Sequence, residues 1–242
     1  MKKLSVNHPI IYEFILIVIA FVVTFAFVVV GQMAGQSNEM SGALGRIATG
    51  LLLMIVLHRC FRWRKLFSGL IVMLPALLFA LWNVANHYLT KGDYAPLTVE
   101  ILILGLAPAI FEEVLFRGVF IHNLKAHGMG KFAVLIIPAV LFGIVHLTNA
   151  VNGQVLQALV QTGYSIVVGL VFGAIYIKTE DLLSVIIAHA VIDITNRVFL
   201  ANTNSSTTVL IIFIALLAVE AIYAFWLVAR TPEPQKVAPA DE

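Results

Sequence analysis

The chain has 242 residues, 61 % of them hydrophobic and only 12 % charged, and its 15 basic and 13 acidic side chains give a formal charge of +2. Soluble domains carry about 25 % charged and about 45–50 % apolar residues, so a water-soluble fold is excluded, and the near-balanced charge argues against nucleic-acid binding. The single cysteine, Cys60, excludes an internal disulfide framework and a cysteine-rich metal knot.

Apolar runs of helical length fall at about residues 10–30, 42–58, 67–89, 97–121, 132–150, 155–177, 181–200 and 207–229. A transmembrane helix needs roughly 20 such residues. Uniformly apolar stretches such as 15–20 exclude the alternation of a membrane β-barrel. The sequence therefore predicts an all-α fold, a polytopic transmembrane helix bundle of about eight spans. Lys2 and Lys3 precede the first run as in a secretory signal, but the run reaches Val30, beyond the roughly 7–15 residues of a signal core, and reads as a retained anchor.

In this layout Lys2, Lys3, Arg59, Arg62, Arg64, Lys65, Lys125, Lys131, Lys178, Arg230 and Lys236 fall on one side, and only Lys91 falls in a loop on the other. The positive-inside rule then places both termini in the cytoplasm. Arg46 and Arg197, at span edges, read as snorkelling to the outer interface. The stretch from Arg59 to Lys65 reads as a basic, aromatic anchor in the headgroup layer. Residues 1–230 form one bundle with a polar motif core at 97–200, and 231–242, with three prolines, reads as a disordered cytoplasmic tail.

Ionisable groups deep in a span cost roughly 2.5–3.5 kcal/mol each and are retained where they pair or serve a task. Three groups stand out. In the fourth run, Glu113 and Arg117 are four residues apart and share a helix face, while Glu112 is rotated by about 100° and stays available. In the fifth run, Phe142 and His146 share a face, Gly143 lets a neighbouring helix approach, and Pro138 is expected to interrupt the helix. In the seventh run, His189, Asp193 and Asn196 recur at i, i+4 and i+7 as a polar stripe. Asp193 is expected to accept a hydrogen bond from one His189 nitrogen and so fix which nitrogen faces a substrate. Glu13, Glu100 and Glu220 stand outside any motif, and His87, His122 and His127 read as solvated neighbours of loops.

A carboxylate, two imidazoles and excluded bulk water suit hydrolysis through an activated water. The sequence lacks a His-Glu-x-x-His zinc motif, the Gly-x-Ser-Gly of rhomboid type and the Gly-x-Gly-Asp of intramembrane aspartyl proteases. Cys60, beside Arg59 at a membrane edge, reads as an inert thiol.

In order, the groups resemble the CPBP intramembrane proteases, also called the Abi or CAAX-protease family: Glu-Glu-x-x-x-Arg at Glu112, Glu113 and Arg117, Phe-x-x-x-His at Phe142 and His146, and His-x-x-x-Asn/Asp at His189 and Asp193. The resemblance covers 112–193. It implies a glutamate-dependent endopeptidase with no metal or other cofactor. Glu112 would be the base, working with His146 to activate a water. His189 and Asp193 would hydrogen-bond the oxyanion, Asn196 being a substitute donor, because Asp in place of Asn must be protonated to donate. Glu113 and Arg117 would hold the helix and tune Glu112, and Phe142 would pack beside His146. The bacterial type of the family implies a lipid-bilayer setting and a peptide or membrane-protein substrate, with bacteriocin self-immunity or peptide processing as biological roles. Two alternatives stay open: a non-catalytic immunity or scaffold protein, and a zinc hydrolase using Glu112, His146, His189 and Asp193. A proton-relaying transporter is disfavoured by the lack of an inverted repeat.

Overall fold

A computed structural model describes residues 8–61, 65–202 and 206–234. Lys2, Lys3, Arg62, Arg64 and Lys236, which carry part of the orientation reading and of the headgroup anchor, lie outside the described residues, as does the tail from 235 onward.

The described residues are almost entirely helical, as the apolar runs predict: α1 (Pro9–Met33), α2 (Asn38–Val56), α3 (Leu78–Thr90), α4 (Val99–Glu113), α5 (Ile121–Ala126), α6 (Lys131–Val145), α7 (Val155–Thr179), α8 (Leu182–Val198) and α9 (Thr207–Ala229). A π-helical stretch, Val114–Phe120, joins α4 to α5 without a break, and a 3₁₀ segment, His146–Asn152, continues α6. Local chemistry sets the starts. Pro9 occupies the first turn of α1, where its missing N–H costs nothing. Ser37, Thr98, Asp181 and Ser206 accept from backbone N–H groups in the first turns of α2, α4, α8 and α9. Among the described residues, five helical segments are long and apolar enough to cross a membrane: α1, α2, α6 with its continuation to Val151, α7 and α9. Many of their large apolar side chains face outward, Phe14, Phe25 and Ile222 among them, as lipid contact requires.

Two expectations are corrected. The run at 67–89 is not one helix. Only α3 and the preceding 3₁₀ turn Pro75–Leu77 are helical, and 65–74 passes through turns with Phe67 at φ +66°. Hydropathy reports burial and not backbone conformation, and the left-handed φ of Phe67 cannot be accommodated within a right-handed helix. Pro138 does not interrupt α6, which runs through it to Val145, because packed membrane helices re-satisfy the groups a proline frees. The first residues of the expected tail are held in place: the Lys131 ammonium donates to the Ala229 and Thr231 carbonyls at 3.1 and 2.9 Å, and the Lys131 N–H donates to Glu233 at 3.0 Å. A cation satisfies the last carbonyls of α9 there, a favourable place for positive charge.

The helices that carry the three polar groups meet in the middle of the bundle. α4 packs on α8 and on α2, and α6 packs on α7. Two glycines permit these approaches. A Cβ on Gly105 would meet Ile194 Cγ1 of α8 at 2.5 Å, and one on Gly143 would meet the Thr162 carbonyl oxygen of α7 at 2.9 Å. Gly143 thus has the use its sequence context suggests.

Asp181 ties the irregular 65–74 segment to the bundle. Its buried carboxylate accepts from the Ser184 N–H (3.1 Å), the Ser184 hydroxyl (2.5 Å) and the Gly69 N–H (2.9 Å). Asp181→Ala removes a helix cap and leaves a buried N–H unpaired. The expected cost is about 2–4 kcal/mol, read as a fall in thermal midpoint in detergent. An unchanged midpoint would show that the carboxylate does not hold this joint.

Candidate active site

α4 delivers two adjacent carboxylates on different faces. Glu113 is fully buried, whereas the Glu112 side chain retains 17 % exposure and lines a cavity of about 690 Å³. The 100° step between neighbours on a helix is enough to separate them. The π-helical stretch begins directly after Glu113, and such stretches recur at functional sites.

Glu113 is the hub. Its Oε1 accepts from Arg117 Nη1 at 2.9 Å and from His189 Nδ1 at 2.7 Å. Arg117, 1 % exposed, also donates from Nη2 to the Gly169 carbonyl at 3.3 Å. Its guanidinium lies over the Phe142 ring at 4.6 Å and the Phe172 ring at 5.4 Å. One ion pair thereby joins α4 and its π-helical extension to α6, α7 and α8, and the aromatic faces add to its stabilisation.

The expected role of Asp193 in orienting His189 is corrected. Glu113 takes the Nδ1 hydrogen bond, while Asp193 Oδ2 lies 3.7 Å from Nε2 and Glu112 Oε2 lies 3.9 Å from the same nitrogen. Asp193 sits one turn along α8, on the cavity wall, too far for a direct bond. Phe172 and Phe142 pack on the His189 ring at 5.3 and 6.2 Å between centroids and hold its plane.

His146 stands where α6 tightens into the 3₁₀ segment. Its Nδ1 lies 2.8 Å from the Phe142 carbonyl oxygen. A carbonyl can only accept, so Nδ1 carries the proton and Nε2 is the lone-pair nitrogen of the neutral ring. Phe142 packs edge-on against this ring at 5.1 Å. Both histidines are therefore anchored through Nδ1, by a carboxylate in one case and a carbonyl in the other.

Glu112, His146, His189, Asp193 and Asn196 all line the same cavity. Arg46 and Arg197 line it too, which corrects their reading as outward-snorkelling cations; Arg197 Nη1 approaches Glu39 Oε2 at 3.9 Å. The α1–α2 pair forms one wall of the cavity, through Phe21, Thr24, Phe25 and Val28 of α1 and Glu39, Gly42, Ala43 and Arg46 of α2. Asn149 and Gln161, hydrogen-bonded at 2.8 Å, complete the polar rim. Arg197 could have been found by extending the α8 stripe one more step, from Asp193 to i+4. Arg46, Asn149 and Gln161 leave no such signal.

Cys60 is buried beyond the end of α2. Burial, with the Glu13 carboxylate nearby, pushes its thiol up to about 12, so no thiolate forms near neutral pH. His127 is hydrogen-bonded to the Asn123 carbonyl oxygen at 2.6 Å and His87 to the Leu200 carbonyl oxygen at 3.1 Å, so neither is merely solvated. Among the described residues, no three His, Cys, Asp or Glu side chains are grouped to hold a metal ion.

Residues 94–195, the stretch that contains Glu112, Glu113, Arg117, Phe142, His146, His189 and Asp193, match the family model of type II CAAX prenyl endopeptidase Rce1-like proteins. Over this stretch the chain is similar to the CAAX-protease family. It is a peptide hydrolase of the CAAX-endopeptidase type and a multi-pass membrane protein. No curated protein and no solved structure is significantly similar to the chain.

Proposed function

We propose that this CAAX-type protease is a glutamic endopeptidase that needs no metal and cuts a peptide bond through a water activated by Glu112. The observation that carries the reading is the convergence of Glu112, His146, His189 and Asp193 on one cavity while Glu113 and Arg117 are sealed behind it. Glu112 takes a proton from the water as its oxygen bonds to the substrate carbonyl carbon, and the carbonyl π pair moves onto oxygen. As the C–N bond breaks, the same proton passes to the leaving nitrogen and the carboxylate is restored. His146 Nε2, with its lone pair free, orients the water. His189 donates from Nε2 to the oxyanion when both ring nitrogens carry protons, Nδ1 being held by Glu113. Asp193, on the same side of the ring, donates as the neutral acid, and Asn196 supplies an amide donor three residues further along α8. The substrate is a small peptide or a membrane-protein tail, in bacteriocin self-immunity or peptide processing.

Membranes carrying the parent chain or Glu112→Gln, compared by proteomics, are expected to differ in one peptide that stays uncut with the variant. Identical peptide profiles with retained biological function would favour a scaffold instead. Cleavage by purified protein is expected to persist in EDTA and in 1,10-phenanthroline. Loss under chelation, restored by zinc, would overturn the metal-free mechanism.

A further inference from the structure

A second cavity, of about 310 Å³, lies on the other side of the α8 polar stripe. Asp193 and Asn196 line both it and the larger cavity, so two side chains of the candidate site form the partition between them. The far wall is aromatic. Trp82 of α3 stacks on Phe213 of α9 at 5.2 Å, and Tyr164 of α7 meets Phe213 edge-on at 6.0 Å. Phe79 closes the pocket from α3. The polar groups are few. Asn83 is held by donating to the Ile192 carbonyl at 2.9 Å and to the Thr195 hydroxyl at 3.1 Å. Asn86 lines the pocket, with its carboxamide oxygen sealed away from the open volume.

Binding pockets begin at about 300 Å³, so this one takes a single large side chain rather than a length of peptide. Its walls suit a flat apolar ring, which gains both burial and edge or face contacts with other rings. We propose that this pocket is a specificity subsite that receives an aromatic side chain of the substrate, from a residue flanking the scissile bond, with the ring against Trp82, Tyr164 and Phe213. This rests on the hydrolytic reading above, because the shared Asp193–Asn196 wall places the pocket next to the reacting carbonyl.

An internally quenched nonapeptide library, varied one position at a time, tests it with the full-length protein in lipid vesicles. One flanking position is expected to prefer an aromatic residue over alanine by about tenfold or more in kcat/KM, expressed mainly in KM. Trp82→Leu and Phe213→Leu are each expected to remove most of that preference, read within each variant as the ratio of kcat/KM for the aromatic and the alanine peptide. A flat profile, or a preference untouched by both variants, overturns the subsite. Binding of N-acetyltyrosinamide to the Glu112→Gln protein, followed by tryptophan fluorescence, reads the pocket without catalysis. Saturable binding weakened in Phe213→Leu supports the site, and displacement by a fatty acid but not by tyrosinamide overturns it in favour of a lipid. Binding without any cleavage by the parent protein would sink the hydrolytic reading and keep the aromatic site. Cleavage without such binding would do the reverse.

Discussion

Glu112→Gln is expected to lower the rate of peptide cleavage by about 10²–10⁴-fold, the usual contribution of a positioned general base, while leaving the amount of folded protein in the membrane unchanged. The two halves of this result come from the same geometry. Glu112 lines the cavity, and its closest charged neighbour, His189 Nε2, stands 3.9 Å away, beyond a direct hydrogen bond. The amide is nearly the same size as the carboxylate and forfeits no short contact. Only the capacity to hold a proton is lost. Single-turnover cleavage alongside quantitative immunoblotting of membranes measures both halves. A variant that cleaves at the parent rate would remove Glu112 from the chemistry.

Arg117→Ala is expected to do the opposite first: to deplete the protein, and with it all activity. Removing one partner of a buried ion pair costs about 3–5 kcal/mol, because the remaining charge is stranded. Here the stranded group is Glu113, fully buried, with one oxygen already lacking a partner. The change also opens a void among Phe142, Phe172 and the Gly169 carbonyl, all of which the guanidinium touches. Folding stability of a membrane protein of this size is typically of the order of 5–15 kcal/mol, so a large share would go. Arg117→Lys keeps the charge but not the two-armed reach to Glu113 and Gly169, and an intermediate level is expected. Pulse-chase lifetime and thermal midpoint in detergent check the series. Parent-like abundance of Arg117→Ala would mean that the pair contributes nothing net.

The helical bundle, the different faces of Glu112 and Glu113, the Glu113–Arg117 pair and the packing of Phe142 beside His146 are all legible in the sequence. Each depends only on local helix geometry within a few residues. The bond from Glu113 to His189 is not, because it joins positions 76 apart in the chain and no pattern within one helix reveals which of two carboxylates a distant ring will choose. Asp193, at i+4 on the same helix, was the local candidate, yet it faces the cavity wall. Arg46 and Arg197 were misread for a related reason. A cation near a helix end faces lipid headgroups or an internal water pocket according to how neighbouring helices stand. The 65–74 segment is apolar enough for a span, and the tertiary bond from Gly69 to Asp181 that favours its irregular backbone is again non-local.

One oxygen, Oε1 of Glu113, serves both the guanidinium and the imidazole. Mutational effects along this line should therefore be strongly non-additive: once Glu113 is replaced, further loss of Arg117 or of the His189 ring has less left to break. Sequence change at any one of the three positions is constrained by the other two, so drift there is expected to occur as coordinated replacement rather than by single steps.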